Sequence, residues 1–203
     1  MIKLMNCDFR KTNGIWETKI LLEEWSTFFG YPIEVDVNLG GDSKVETVQD
    51  KHLRAYQYFK NNQKQLLKNI LEKLFFEYKN LQESYGYDDE EKSEYMPGIY
   101  SIEDLKDLIK LKRVHILNVE KNNLSYIGFH FECKWDDEQE LGFMTHETKV
   151  VKMGSSDSSF LSWIAEEDCK KTGEGKIIIP KEFKSIDTPK TVYDPNIISD
   201  EQI

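Results

Sequence analysis

Leu124 to Ala165 reads LSYIGFHFECKWDDEQELGFMTHETKVVKMGSSDSSFLSWIA, and the alternation in it decides the fold. Ile127, Phe129, Phe131, Cys133 and Trp135 alternate with Tyr126, Gly128, His130, Glu132 and Lys134. The first set is apolar throughout, which predicts a strand with one buried face. Asp136-Asp137-Glu138-Gln139-Glu140 has no apolar residue and reads as an acidic connection. Leu141 to His146 and Lys149 to Met153 resume strands across a turn at Glu147-Thr148, and Gly154 ends the last one. Ser155, Ser156 and Asp157 are suited to cap a helix whose apolar side is Phe160, Leu161, Trp163 and Ile164.

Upstream, Ile15 to Trp25 reads as a strand and Ser26 to Pro32 as a connection. Ile33, Val35, Val37 and Leu39 point inward from a second strand, which Gly40-Gly41-Asp42 ends. These two form an N-terminal ribbon that must pair or pack with something, since a lone hairpin is marginal in water. Thr47 is placed to cap a helix over 48–61, with Asp50 in the capping-box position. A second helix covers 63–84, where Leu67, Ile70, Leu71, Leu74, Phe75, Tyr78 and Leu81 recur at three- and four-residue spacing and Phe76 lies off the stripe. Asn61-Asn62 marks a kink or a break between them.

Tyr85 to Gly98 reads as a long acidic loop. Ser101 opens a third helix whose buried side is Leu105, Leu108, Ile109 and Leu111. The sheet begins at Val114, Ile116 and Val119, and Lys121-Asn122-Asn123 turns into Leu124. Ile177 to Ile179 is a candidate last strand.

The order predicts an α+β protein: an antiparallel meander sheet packed by amphipathic helices, with an N-terminal β-ribbon. One domain is expected over 1–187, with ribbon and helix pair at 15–85 and meander and helix at 101–180. A loosely ordered tail follows over 188–203.

Composition narrows the function. The chain has 203 residues, 39% hydrophobic and 12% aromatic, so it can build a core. A net charge of −10 argues against nucleic-acid binding, which needs clustered Lys and Arg, and suits a basic protein partner. The same acidity also serves simply to keep a protein soluble. Cys7, Cys133 and Cys169 are an odd number with no CxxC, which points to reduced thiols in a cytoplasmic protein. Cys133 is expected as a small core residue. Met1 to Arg10 lacks the apolar run of a signal peptide, and no stretch is apolar enough to span a bilayer.

No chemistry-bearing motif is complete. Dinucleotide, phosphate-loop and GxSxG patterns are absent, and no cofactor is expected. Gly154-Ser155-Ser156-Asp157 precedes a helix where an anion can bind, but capping explains those residues without one. His115, His130 and His146 fall on the polar side of neighbouring strands with Glu132 nearby, which makes a metal-dependent enzyme the alternative reading. The carboxylates of Asp136, Asp137, Glu138 and Glu140 lack calcium-loop spacing. With Asp88, Asp89, Glu90 and Glu91 they are the candidate contacts for a basic partner.

Phe131-Glu132-Cys133-Lys134-Trp135-Asp136-Asp137-Glu138, then Leu141-Gly142, Val150-Val151, Gly154 and Asp157, resembles a group of bacterial domains of unknown function. Their pattern runs F-x-C-x-W-D-x-E-H-G-L-G-V, then V-V-x-x-G-x-A-D. Gln49, Ala55, Tyr56 and Ile70-Leu71 extend the likeness, which covers 47–165. Such domains occur near contact-dependent and polymorphic toxins, so the resemblance implies an immunity-type protein. This chain has Gln139-Glu140 where the pattern has His-Gly, and Ser156 where it has Ala. Both departures weigh against catalysis and towards a non-enzymatic, protein-binding factor of immunity or antitoxin type.

Overall fold

A computed structural model describes residues 9–171. Strands β1 (Arg10–Thr12), β2 (Ile15–Leu21), β3 (Glu34–Gly40), β4 (Ile109–Lys121), β5 (Leu124–Cys133), β6 (Leu141–His146) and β7 (Lys149–Gly154) form one seven-stranded sheet in sequence order. The fold is α+β, but the sheet is mixed and not a purely antiparallel meander. All neighbours run antiparallel except β3 and β4, which pair in parallel from Asp36↔Arg113 to Gly40↔Leu117. A parallel step needs a long crossover. Helices α2 (Asp50–Asn61), α3 (Gln63–Tyr85) and α4 (Asp89–Tyr95) and a 3-10 turn (Ile102–Asp107) supply it. The ribbon is therefore one margin of the same sheet.

Several elements differ from the sequence expectation for local reasons. The first strand stops at Leu21, and Glu23–Phe29 is helix α1. Leu22, Trp25 and Phe29 are buried at helical spacing, Glu23 and Glu24 favour a helix N-terminus, and Gly30 closes it at φ 80°. Gln49, not Thr47, begins α2, with His52 in the reciprocal capping position. Asn62 breaks α2 from α3, its amide donating to Tyr58 O at 2.8 Å. The acidic stretch after Tyr85 is not a plain loop: Asp88 accepts from the backbone N–H of Glu90 and Glu91 at 2.9 Å each and starts α4. Ser101 opens a 3-10 turn, and Ile109 and Leu111 belong to β4. Asn122 and Asn123 make the expected turn, at φ 52° and 62°.

The main core lies between one sheet face and α1, α2 and α3. Phe129 and Phe131 stack on the fully buried Trp25 at 5.5 and 6.0 Å, and Phe59 meets Phe129 edge-on at 5.6 Å. The α3 stripe is buried at Leu67, Ile70, Leu71, Leu74 and Tyr78, while Phe76 is exposed. Burial then departs from simple alternation. Tyr126, Gly128 and Met144 are buried on the other sheet face too. A 3-10 turn (Ser156–Ser159) and helix α5 (Ser162–Lys171) lie across that face, where Leu117, Tyr126, Met144, Ile164, Ala165 and Cys169 form a second cluster. In α5 it is Ile164, Ala165 and Cys169 that turn inward, and Trp163 is exposed. Cys7, Ile177 to Ile179 and the 188–203 tail lie outside the described residues.

Candidate functional site

The two acidic segments meet. Gly86, at φ 65°, ends α3 and turns the chain back so that Tyr85 and Tyr87 stack at 5.5 Å. The Tyr85 hydroxyl donates to Asp136 Oδ2 at 2.8 Å and that of Tyr87 to Trp135 O at 2.6 Å. Burial, and then the hydrogen bond to Asp136, raises the Tyr85 pKa, which keeps the phenol a donor. The Tyr87 phenol is raised by burial and by the carboxylates of Asp136 and Glu91, one from each segment. Trp135 itself is buried edge-on against Tyr78 at 5.9 Å.

Within this acidic edge the carboxylates divide. Asp88, Asp89, Glu90, Glu91, Asp137 and Glu138 are exposed. Asp136 and Glu140 direct their oxygens into the fold. Asp136 Oδ1 accepts from Gln139 N at 2.8 Å in addition to the Tyr85 bond. Glu140, in the left-handed region at φ 54°, accepts from Lys112 Nζ at 2.6 Å and pairs with His130 Nε2. Burial works against ionisation of Glu140, but the bonds from Lys112 and His130 outweigh it and its pKa is lowered. Cys133 is buried, its thiol pushed up to about 12 chiefly by burial, which suits the core role expected of it.

The three sheet histidines do not come together as one group. His115 and His130 lie on neighbouring strands, next to Gly128 and Arg113 respectively. His146 Nε2 donates instead to Lys121 O at 2.9 Å and its ring lies 4.6 Å from Tyr126. Glu132 pairs with Lys110 at 3.1 Å. Among the described residues no group of three or more His, Cys, Asp or Glu is placed to hold a metal ion. The fourth, His52, is buried with both ring nitrogens used, Nδ1 accepting from Gln49 N at 3.1 Å and Nε2 bonding Asn118 Oδ1 at 3.3 Å.

The half of the second face that α5 leaves bare carries a row of polar side chains. Register places Lys19, Asp36, Arg113 and His130 in line across β2 to β5, with Glu17, Asn38 and His115 in the next row. A cleft of about 520 Å³ opens there, lined by Asn38, Asp42, Arg113 and His115 and walled by Trp16 and Phe160. Sequence reading missed Asn38 and Arg113 because the parallel β3–β4 pairing that joins them was not legible. It missed Tyr85 and Tyr87 although two tyrosines flanking an acidic run were a usable signal.

A mixed sheet with a helical crossover on one face and a short helix on part of the other defines an α+β domain. The chain belongs to the family described as domain of unknown function (DUF6985), which matches residues 13–161. That span runs from the β1–β2 turn to the start of α5. No curated protein and no solved structure matches the chain. Among the described residues no helix is long and apolar enough to cross a membrane.

Proposed function

We propose that this protein is a non-enzymatic, cytoplasmic binding factor of immunity or antitoxin type, and that the acidic edge docks a basic protein partner. One observation carries the reading. The bonds from Tyr85 and Tyr87 join two acidic segments that are distant in sequence, so six exposed carboxylates border a fixed aromatic platform. Charge of one sign held on a rigid support steers an oppositely charged partner and suppresses wrong ones. The capping box of α4 fixes Asp88 and Glu91 relative to the platform. The resemblance to immunity-type domains supplies the class of partner, a basic toxin such as a nuclease.

The test is affinity capture from the source cell with two baits: the intact protein, and a variant carrying Asp89→Lys, Glu90→Lys, Asp137→Lys and Glu138→Lys. A basic protein held by the first, released by salt and absent from the second is the expected result. Equal capture by both baits overturns the assignment of the surface. A captured partner whose toxicity persists in the presence of saturating protein overturns the immunity reading.

A further inference from the structure

The cleft on the bare half of the sheet's second face has features that the acidic edge does not explain. Its two inner side chains, Asn38 and His115, face each other across the parallel β3–β4 pair and are both more than nine-tenths buried. Among the described residues, Asn38 Oδ1 and His115 Nε2 nevertheless have no hydrogen-bond partner. A buried polar atom left unpaired is costly, and native proteins satisfy nearly all of them. At the rim stands Arg113, exposed, with acidic Asp36 as its cross-strand neighbour. Asp36 pairs with Lys19 at 3.8 Å, and Glu140 is held by Lys112 and His130. Among the described residues, Arg113 forms no ion pair with either carboxylate.

None of the remaining charges in the lining is ion-paired to this cation. Lys44 is at the rim, paired with Glu46 at 2.6 Å. Asp42 accepts from Ser162 N at 3.1 Å and from the Ser162 hydroxyl, which ties it to the start of α5. With Lys44 neutralised by Glu46, the lining keeps Arg113 as its one cation without an ion pair among the described residues, and Asp42, held by Ser162, as its one anion. Trp16 is fixed by its indole N–H on Glu46 O at 3.2 Å, and Phe160 lies 5.6 Å from the His115 ring, so both walls are flat and apolar.

We propose that this cleft binds a small organic anion that also carries an amide-type edge, with the anionic group on Arg113 and the edge on Asn38 and His115. A guanidinium fork matches carboxylate or phosphate oxygens. Burial, and then the neighbouring Arg113 and His130, pushes the His115 pKa down to about 3, so its ring is neutral. A neutral imidazole nitrogen and an amide oxygen together serve one donor and one acceptor, the pair an amide or lactam edge displays. The volume is in the range of small-molecule sites.

The test titrates the full chain with two probes, N-acetylglycine (amide and carboxylate) and uridine 5′-monophosphate (lactam and phosphate), by calorimetry and by the His115 imidazole NMR signal. Whichever probe binds near one equivalent and shifts His115 identifies the source of the anion. Arg113→Gln is expected to weaken that binding by about tenfold or more, as loss of a charge-assisted bond does. Asn38→Leu is expected to abolish it, with folding checked by thermal melting. Arg113 is exposed, so its variant decides alone if Asn38→Leu does not fold. Binding of neither probe at about 10 mM, weaker than a ligand of this size should require, overturns the proposal. So does binding that either folded variant leaves unchanged.

Discussion

Replacing Gly128 by alanine should detach part of the second layer. Taken without its surroundings the change is favourable, because glycine inside a strand costs roughly 0.5–1 kcal/mol relative to alanine. The surroundings reverse the sign. A Cβ on Gly128 would overlap the carbonyl oxygen of Ser159 and stand 2.5 Å from its carbonyl carbon and 2.9 Å from its Cα. Carbon atoms settle at about 3.5–4 Å, and the overlap with the carbonyl oxygen is deeper still, so the Ser159 backbone must retreat by more than the roughly 1 Å that the carbons alone require. It has little freedom to do so. Ser159 Oγ donates to Ser156 O at 2.7 Å, Ser156 N donates to Gln139 O at 2.9 Å, and Gly142 is pressed by the same turn. Overpacking of this kind costs about 1–3 kcal/mol. If the turn lifts, Ile164 and its neighbours in the second cluster lose burial, each large apolar side chain being worth about 1.5–3 kcal/mol. A net loss of about 3 kcal/mol is expected from these two contributions. Urea denaturation measures it, and hydrogen exchange of the α5 amides shows where it acts. Gly98→Ala is the control, since the nearest atom to its added Cβ is Tyr100 Oη at 3.9 Å and no strain is expected. A Gly128→Ala protein within about 0.5 kcal/mol of the parent, with α5 protected as before, would refute the close packing of the turn on β5.

Other consequences can be checked separately. Trp25→Ala removes the ring sandwiched against Phe129 and Phe131 and should cost about 3–5 kcal/mol by chemical denaturation. Tyr85→Phe should cost about 1–2 kcal/mol, and a double-mutant cycle with Asp136→Asn should recover most of it as coupling. Folded-state pKa values are depressed to about 4 for His52, mainly by burial, and to about 3 for His115 from the usual 6.5. The unfolded chain therefore binds more protons, so stability present above pH 6.5 is lost as pH falls from 6.5 towards these values. His52 alone accounts for up to about 3 kcal/mol of that loss. Denaturation at several pH values checks it, and His52→Gln should flatten the slope. Glu140, with a lowered pKa, adds stability that is present above its usual 4.5 and lost as pH falls further, and Glu140→Gln should remove this acid limb.

What the sequence determined by itself is local. The alternating burial of β5 from Phe129 to Cys133, the three- and four-residue stripe of α3, the Asn122-Asn123 turn and the absence of complete catalytic motifs follow from short-range spacing, which is dictated by strand and helix geometry. The acidic segments were visible as composition. Tertiary structure decided the rest. It paired β3 in parallel with β4 across a long helical crossover, because strand partners chosen through the intervening chain leave no periodic mark. Gly128 and Gly142 were acceptable on a polar face only because a later turn lies against them, a fact no window around them contains. The same long-range packing brought Tyr85 to Asp136, sent His146 away from His115, and placed Asn38 beside His115 in the cleft. Register and layer contacts depend on residues far apart in the chain, and only the folded chain brings them together.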